Sequence, residues 1–284
     1  MMSPRKKRYR EITARLVKNK SAMIGATLVL IFVILAILAP LIAPYDPEAI
    51  NLGERLQAPS ADHWCGTDDK GRDIFSRLLY GAQLSLTVGV VSVAIGAFFG
   101  ILLGLLSGYY GGWVDAIIMR CIDVLLAFPG LLLALAIVSA LGPGLVNVMI
   151  AVGIFSIPAF ARIVRGSTLE VKKLEYVEAV KALGANDVRI IMGHILPNIF
   201  SPIIVQATLR VASAILTAAG LSFLGLGAQP PTPEWGAMLS DGRSYLWNAP
   251  YIATFPGLAI SLVVIGFNLF GDGLRDALDP RMKG

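Results

Sequence analysis

The sequence has few charged residues for its length. Asp, Glu, Lys and Arg make up 15% of its 284 residues, and 56% of the residues are hydrophobic. A soluble domain of this size carries about a quarter charged residues. With a mean hydropathy of +0.71, the composition excludes an ordinary soluble domain and predicts an integral membrane protein.

Residues for metal-centred or nucleophilic chemistry are also scarce. The two histidines, His63 and His194, and the two cysteines, Cys65 and Cys121, fall in segments predicted on opposite sides of the membrane. We therefore expect no disulfide. The sequence contains no zinc-ligand spacing, no nucleophile motif around serine and no Gly-x-x-x-x-Gly-Lys phosphate loop. We therefore predict no catalytic residue, no metal and no cofactor. The apolar segments also lack the series of acids that proton coupling needs, so any uphill transport would need an external energy source.

Six apolar runs have the length needed to cross a membrane. They are residues 22–43, 84–107, a run within 115–141 that starts after Asp123, 145–163, 199–226 and 252–270. The first run looks like an addition to a core of five. The predicted organisation is therefore a basic N-terminus at 1–20, a first transmembrane helix at 21–44, an extracytoplasmic loop at 45–82, a core at 83–271 and a tail at 272–284.

Basic residues are distributed unevenly between the loops. Seventeen Lys and Arg residues lie in the N-terminus, in residues 162–198 and in the tail, against five in residues 45–80 and 228–250. Because cytoplasmic loops carry an excess of positive charge, both termini and residues 162–198 are predicted to be cytoplasmic. The net charge of +5 is therefore interpreted as an orientation signal and not as a nucleic-acid interface.

Small, kinking and charged residues mark positions inside the predicted spans. Glycines recur every four residues in the second span and predict a flat face for helix packing: Gly96, Gly100, Gly104 and Gly108. Prolines fall in the third to sixth spans and predict kinks: Pro129, Pro158, Pro202 and Pro256. Arg210 is the one clear charge deep in a span. Three interpretations stay open, because it can line a translocation path, pair with an acid of a partner, or snorkel to the interface.

Charged residues nearer the membrane surfaces are given structural interpretations. Arg120 and Asp123 are three residues apart and are predicted to pair on one helical face. Asp68, Asp69 and Asp73 suggest calcium, but the spacing of an EF-hand is missing. We therefore predict a structural loop with local hydrogen bonds there.

Residues 167–198, called segment 167–198 below, form a charged amphipathic island between the fourth and fifth spans. Ser167 and Glu170 match a capping box, which predicts the start of a helix. Apolar residues then recur every three positions and predict one apolar stripe: Val171, Leu174, Val177 and Val180. Gly184 is predicted to end this helix, and Asn186 or Asp187 to begin a second one. Such a helix pair on the cytoplasmic side predicts a docking surface for a partner.

Part of this segment resembles the EAA loop of binding-protein-dependent ABC importer permeases. That pattern is Glu-Ala-Ala, three residues, Gly, nine residues and Ile-x-Leu-Pro, and it is matched at Glu178, Ala179, Gly184, Leu196 and Pro197. Val180 and His194 depart from it. Five further stretches resemble the "C" type subunit of the dipeptide, oligopeptide and nickel permeases: APYDP (43–47), residues 63–86, DVLLAFPGLLLALAIV (123–138), AAGLSFLGLG (218–227) and LRDALDPR (274–281).

The resemblance implies an all-α fold, with a five-helix type I ABC importer permease core, one added N-terminal helix and cytoplasmic coupling helices. It implies a homologous second permease, two ATP-binding subunits that bind ATP in place of this chain, and an extracytoplasmic binding protein that contacts the outer loops. By the same resemblance, the residues that couple to the ATPase are Glu175, Tyr176, Glu178, Ala179, Val180, Ala182, Leu183 and Gly184.

The implied function is uptake of di- or oligopeptides across a bacterial or archaeal inner membrane, with nickel, glutathione or another small solute as alternatives. Two other classes stay open. A stand-alone channel would conduct without ATP or partners, and a secondary transporter would depend on a proton or sodium gradient.

Overall fold

The computed structural model of the chain describes residues 13–278. The predicted basic N-terminus at 1–20 and tail at 272–284 therefore lie partly outside the described residues. Within the described range the fold is helical, and β-pairing is limited to one isolated bridge between Thr67 and Asp73. The helices are α1 (Lys20–Ile42), α2 (Ile74–Tyr110), α3 (Gly112–Leu126), α4 (Gly130–Leu141), α5 (Leu145–Lys172), α6 (Glu175–Ala182), α7 (Asp187–Ile190), α8 (Phe200–Phe223), α9 (Trp235–Gly242) and α10 (Tyr251–Leu278).

Among the described residues, five helices are long and apolar enough to cross a membrane: α1, α2, α5, α8 and α10. The sixth predicted span is not one helix beginning after Asp123. It is the pair α3 and α4, which meet at an angle of 90°. The backbone N–H of Ala127 still donates to the carbonyl of Asp123, so α3 continues past that residue. Pro129 then interrupts the run, because it lacks an N–H and restricts the residue before it.

The bent pair nevertheless connects the two ends of the bundle. Helices α2 and α5 run in the same direction, since Gly96 faces Ser156 and Gly108 faces Thr168. The pair α3 and α4 joins the end of α2 to the start of α5, so it has to cross back. Six crossings follow, in agreement with the predicted all-α membrane fold.

The predicted glycine face of α2 packs closely against α5 and confirms the packing interpretation. A Cβ atom at Gly96 would lie 2.5 Å from the Cβ of Ser156, and one at Gly104 would lie 2.7 Å from the Cβ of Val164. Side chains of α5 therefore occupy the space that glycine leaves free, and the two backbones approach closely.

Two helix boundaries differ from the sequence predictions. Helix α2 begins at Ile74, well before residue 84, because the carboxylate of Asp73 accepts the N–H of Ser76 at 2.7 Å and caps the helix. Loop 45–82 is correspondingly shorter. Helix α5 extends past residue 163 to Lys172. The prolines also differ in effect, since Pro158 and Pro256 lie inside continuous helices whereas Pro129 lies in the break just before α4.

Candidate functional site

Segment 167–198 begins as a continuation of α5 and not as a separate helix. The prediction of a capping box at Ser167 and Glu170 is therefore wrong, because both residues lie inside α5. Thr168, one residue further on, is fully buried and packs where Gly108 leaves space. The close contact with α2 thus keeps α5 helical through the predicted capping box at Ser167 and Glu170. The first separate helix is α6, which begins at Glu175.

A small apolar core attaches the rest of the segment to the ends of α2 and α5. Buried residues of the segment pack with buried residues of both helices: Val177, Ile190 and Ile195 with Leu105, Tyr109 and Val164. Val171 and Val180 of the predicted stripe are partly buried against the same cluster. Leu174, the remaining member, is exposed, because it precedes α6 and does not share its face.

Polar contacts at the end of α2 fix the same attachment. The hydroxyl of Tyr109 donates to a carboxylate oxygen of Asp187 at 2.7 Å. The ammonium of Lys172 lies 5.4 Å from the centre of the Tyr109 ring and also donates to the carbonyl of Tyr109. The end of the transmembrane helix α2 is therefore connected directly to both α5 and α7.

The turn between α6 and α7 has the predicted chemistry. Gly184 has a φ of +82°, in the left-handed region that favours glycine, and its N–H donates to the carbonyl of Lys181 at 3.0 Å. Asn186 then begins α7, since its side chain accepts the N–H of Arg189 at 2.8 Å. Tyr176 stabilises the far side of the segment, because Asn198 donates to its hydroxyl at 3.0 Å.

The structure brings the predicted coupling residues onto one exposed surface. All are solvent-exposed except Val180, which is partly buried: Glu175, Tyr176, Glu178, Ala179, Ala182, Leu183 and Gly184. Leu183 is 87% exposed at the turn. Val188 and Met192 add exposed apolar area from the second half of the segment. Sequence reasoning missed these two residues, although their spacing of four already indicates a shared helical face.

The loops at the opposite end of the bundle are held by buried ion pairs. The Nε of Arg72 donates to a carboxylate oxygen of Asp68 at 2.6 Å, and Arg72 is 3.4 Å from Asp241 in α9. The side chain of His63 lies 2.9 Å from Asp73. Asp68 and Asp73 thus serve as partners for local cations and N–H groups, in agreement with the structural-loop interpretation.

The two cysteines are free, and one of them is buried beside this loop. Burial and the nearby carboxylate of Asp73 raise the pKa of the Cys65 thiol to about 11.

Asp123 does not pair with Arg120 as predicted. It pairs with Arg162 of α5, with 2.7 Å between a guanidinium nitrogen and a carboxylate oxygen, because the packing of α3 against α5 brings a closer cation than the next turn offers.

Arg210 lies within α8 and is partly exposed. Its guanidinium carbon is 6.0 Å from the centre of the Phe155 ring on α5. No carboxylate forms a salt bridge with Arg210 in the part of the chain that the structure describes.

Comparison with known families identifies the class of protein. Residues 100–284 match the family described as the binding-protein-dependent transport system inner membrane component. The chain belongs to this family. Residues 8–59 match the N-terminal transmembrane domain of oligopeptide transport permease C, so this ABC importer permease carries the added N-terminal helix that the resemblance implied.

Curated relatives match this permease over nearly its whole length. It is 54% identical over 275 residues to the dipeptide transport system permease protein DppC of Alkalihalophilus pseudofirmus. The aligned region covers 97% of this chain and 90% of the relative. It is 53% identical to the glutathione transport system permease protein GsiD of Pectobacterium atrosepticum, over 97% of this chain and 92% of the relative. These relatives are transport permeases, which are not themselves enzymes.

Solved structures share the fold at low sequence identity. The inward-facing MetNI methionine ABC transporter aligns with a TM-score of 0.58 and 17% identity, over 72% of this chain and 98% of that chain. An amino acid ABC transporter solved with histidines aligns with a TM-score of 0.55 and 16% identity, over 70% and 92%. Both likenesses support the predicted type I permease fold.

Proposed function

We propose that this permease forms half of the translocation path of an ATP-driven importer of short peptides, and that segment 167–198 docks on an ATP-binding subunit. The observation that carries the docking proposal is the exposed apolar turn at Leu183, at the end of a segment whose other face is packed against α2 and α5. A surface that is packed against the bundle on one side and presents an exposed apolar turn on the other is suited to transmit a partner's movement.

The direction of docking follows from the ends of the bundle. Segment 167–198 contacts the C-terminal end of α2 at Tyr109, whereas the acidic loop contacts the N-terminal end at Asp73. With a rise of 1.5 Å per residue, the 37 residues of α2 span about 55 Å, which exceeds the thickness of a bilayer. Together with the excess of basic residues in segment 167–198 and its flanks, this separation supports a cytoplasmic position for the segment and for both termini.

The partners of the complex follow from this arrangement. A second, homologous permease completes the path, two ATP-binding subunits contribute ATP hydrolysis, and an extracytoplasmic binding protein contacts the outer loops 45–73 and 228–250. The buried Arg72 pairs with the partly exposed Asp241 and so connects these two loops. One protein docked at the outer surface would therefore contact a continuous platform.

The substrate class rests on the relatives. The dipeptide permease DppC and the glutathione permease GsiD are similarly close to this chain, and glutathione is itself a modified tripeptide. Short peptides with a free carboxylate are therefore the substrate class that both relatives share, and nickel chelates are the less supported alternative.

The test is uptake by the complex reconstituted in vesicles with its partner subunits. ATP should drive uptake of a labelled dipeptide, and Leu183→Ala should lower both uptake and the amount of co-purified ATP-binding subunit several-fold. Leu41→Ala is the matched control, because Leu41 is 83% exposed in α1 and outside the segment. Uptake that follows a proton gradient without ATP would refute the proposal, as would equal effects of the two variants.

A further inference from the structure

Several polar side chains of α8 share one face of the helix, whereas Ser201, Thr208 and Ser222 lie on the opposite side. At about 100° per residue, four polar side chains fall within an arc of about 60°: Gln206, Arg210, Ser213 and Thr217. All four are partly or fully exposed. The buried residues of the same turns lie on the other side of the helix: Val211, Ile215 and Ala218. Of the five long spans, α8 also has the lowest mean hydropathy.

Lipid does not account for this polar face. A charged side chain in a span is costly and normally faces a bundle interior or an aqueous cavity. Arg210 is ten residues after Phe200 and thirteen before Phe223, which places it about 15 Å or more from either end of α8. Arg210 therefore lies well inside α8, where a guanidinium that faced lipid would be unfavourable.

The face opens towards one end of the bundle. A cavity of about 500 Å³ lies where the start of α8 meets the ends of α5 and α10, and Gln206 lines it together with Glu170 and Arg275. These are the ends that lead into or lie beside segment 167–198. The polar face of α8 therefore reaches, at Gln206, a cavity with mixed charged and apolar lining on the side of the predicted ATPase contact.

We propose that this face of α8 lines the water-filled substrate path and that Arg210 binds the carboxylate of a passing peptide. The inference rests on the proposed function and adds a residue and a chemistry to it. A guanidinium fits a carboxylate through two parallel hydrogen bonds, and the absence of a salt bridge to Arg210 within the described residues leaves that capacity for substrate.

Cysteine accessibility tests the path in the assembled complex. In a background of Cys65→Ser and Cys121→Ser, Ser213→Cys is compared with Leu262→Cys, whose position is exposed on the apolar face of α10. Charged methanethiosulfonates do not enter lipid, so they should modify Ser213→Cys at least about tenfold faster. Because Arg210 is one turn away from residue 213, the thiol of Ser213→Cys should react faster with the anionic sulfonatoethyl reagent than with the cationic trimethylammonioethyl reagent. Arg210→Gln should lower that preference about fivefold.

Competition tests the carboxylate contact. A dipeptide at millimolar concentration should slow the anionic reagent, its C-terminal amide should not, and Arg210→Gln should abolish the difference. Equal effects of the two peptides overturn the carboxylate contact. An unreactive Ser213→Cys that cross-links to the second permease overturns the path and shows a subunit interface instead. The labelling needs no transport, so failure of peptide uptake in the parent complex would count against the proposed function separately.

Discussion

The hydroxyl of Tyr109 donates a hydrogen bond of 2.7 Å to the carboxylate of Asp187 and so joins the last turn of a transmembrane helix to the first residue of α7. The bond lies between the membrane bundle and the exposed face of segment 167–198. It is therefore a direct mechanical connection between the surface proposed to bind the ATPase and the helix that packs most closely against α5.

Tyr109→Phe removes this bond and retains the ring under Lys172. A hydrogen bond to a charged group contributes about 1.5–3 kcal/mol, so we expect a looser segment and less dipeptide transported per ATP hydrolysed. The measurement is the ratio of uptake to ATP hydrolysis in proteoliposomes. Tyr110→Phe is the control, since the neighbouring ring is exposed. Equal ratios in both variants would show that the bond has no part in coupling.

Gly184→Pro should uncouple transport while leaving membrane insertion intact. Proline fixes φ near −65°, whereas Gly184 has a φ of +82°, so the turn that presents Leu183 cannot keep its shape. Uptake by vesicles and the amount of inserted protein are the two measurements. Gly193→Ala is the control within the same segment, because a Cβ there has no neighbour within 4 Å and no positive φ is involved. Normal uptake by Gly184→Pro would contradict the prediction.

The sequence was sufficient where short-range chemistry decides the structure. The turn at Gly184 and the cap at Asn186 depend on residues a few positions apart, and both predictions are confirmed. The glycine face of α2 was equally readable, because its period of four already places Gly96 to Gly108 on one side of a helix. The integral membrane class followed from composition, and the all-α fold from the resemblance to ABC importer permeases.

Predictions failed where distant residues compete with local signals. A capping box contributes on the order of 1 kcal/mol, and at Ser167 the continued burial of Thr168 against α2 outweighs it. Asp123 has Arg120 one turn away, but its partner is Arg162, which only the packing of α3 against α5 brings near. The polar face of α8 is not evident from Arg210 alone, because it depends on which of its helical neighbours are exposed.

Gly100→Ala should destabilise the bundle. A Cβ at Gly100 would lie 2.8 Å from the carbonyl oxygen of Ile157 and would overlap Phe160, and overpacking of this kind costs about 1–3 kcal/mol. The measurement is the thermal unfolding temperature in detergent, which should fall. Gly166→Ala in α5 is matched, since alanine gains the same helix propensity there and meets no atom within 4 Å. An unchanged unfolding temperature for Gly100→Ala would contradict the prediction, because it would mean that α2 and α5 move apart to accommodate the methyl group without loss of stability.

Cys65 should react slowly with maleimide or iodoacetamide in the folded protein. Its pKa is raised from about 9 to about 11 by burial and by Asp73, and the thiolate is the reactive form. A raised pKa keeps the thiol protonated until the pH approaches 11, so at pH 8 only about 0.1% is thiolate. Labelling of the Cys121→Ser variant, which retains Cys65, should therefore rise about tenfold per pH unit and should become fast at pH 8 only after denaturation. The comparison is Cys65→Ser, which retains the exposed Cys121. Equally fast labelling of the two folded variants at pH 8 would show that the loop around Cys65 opens readily.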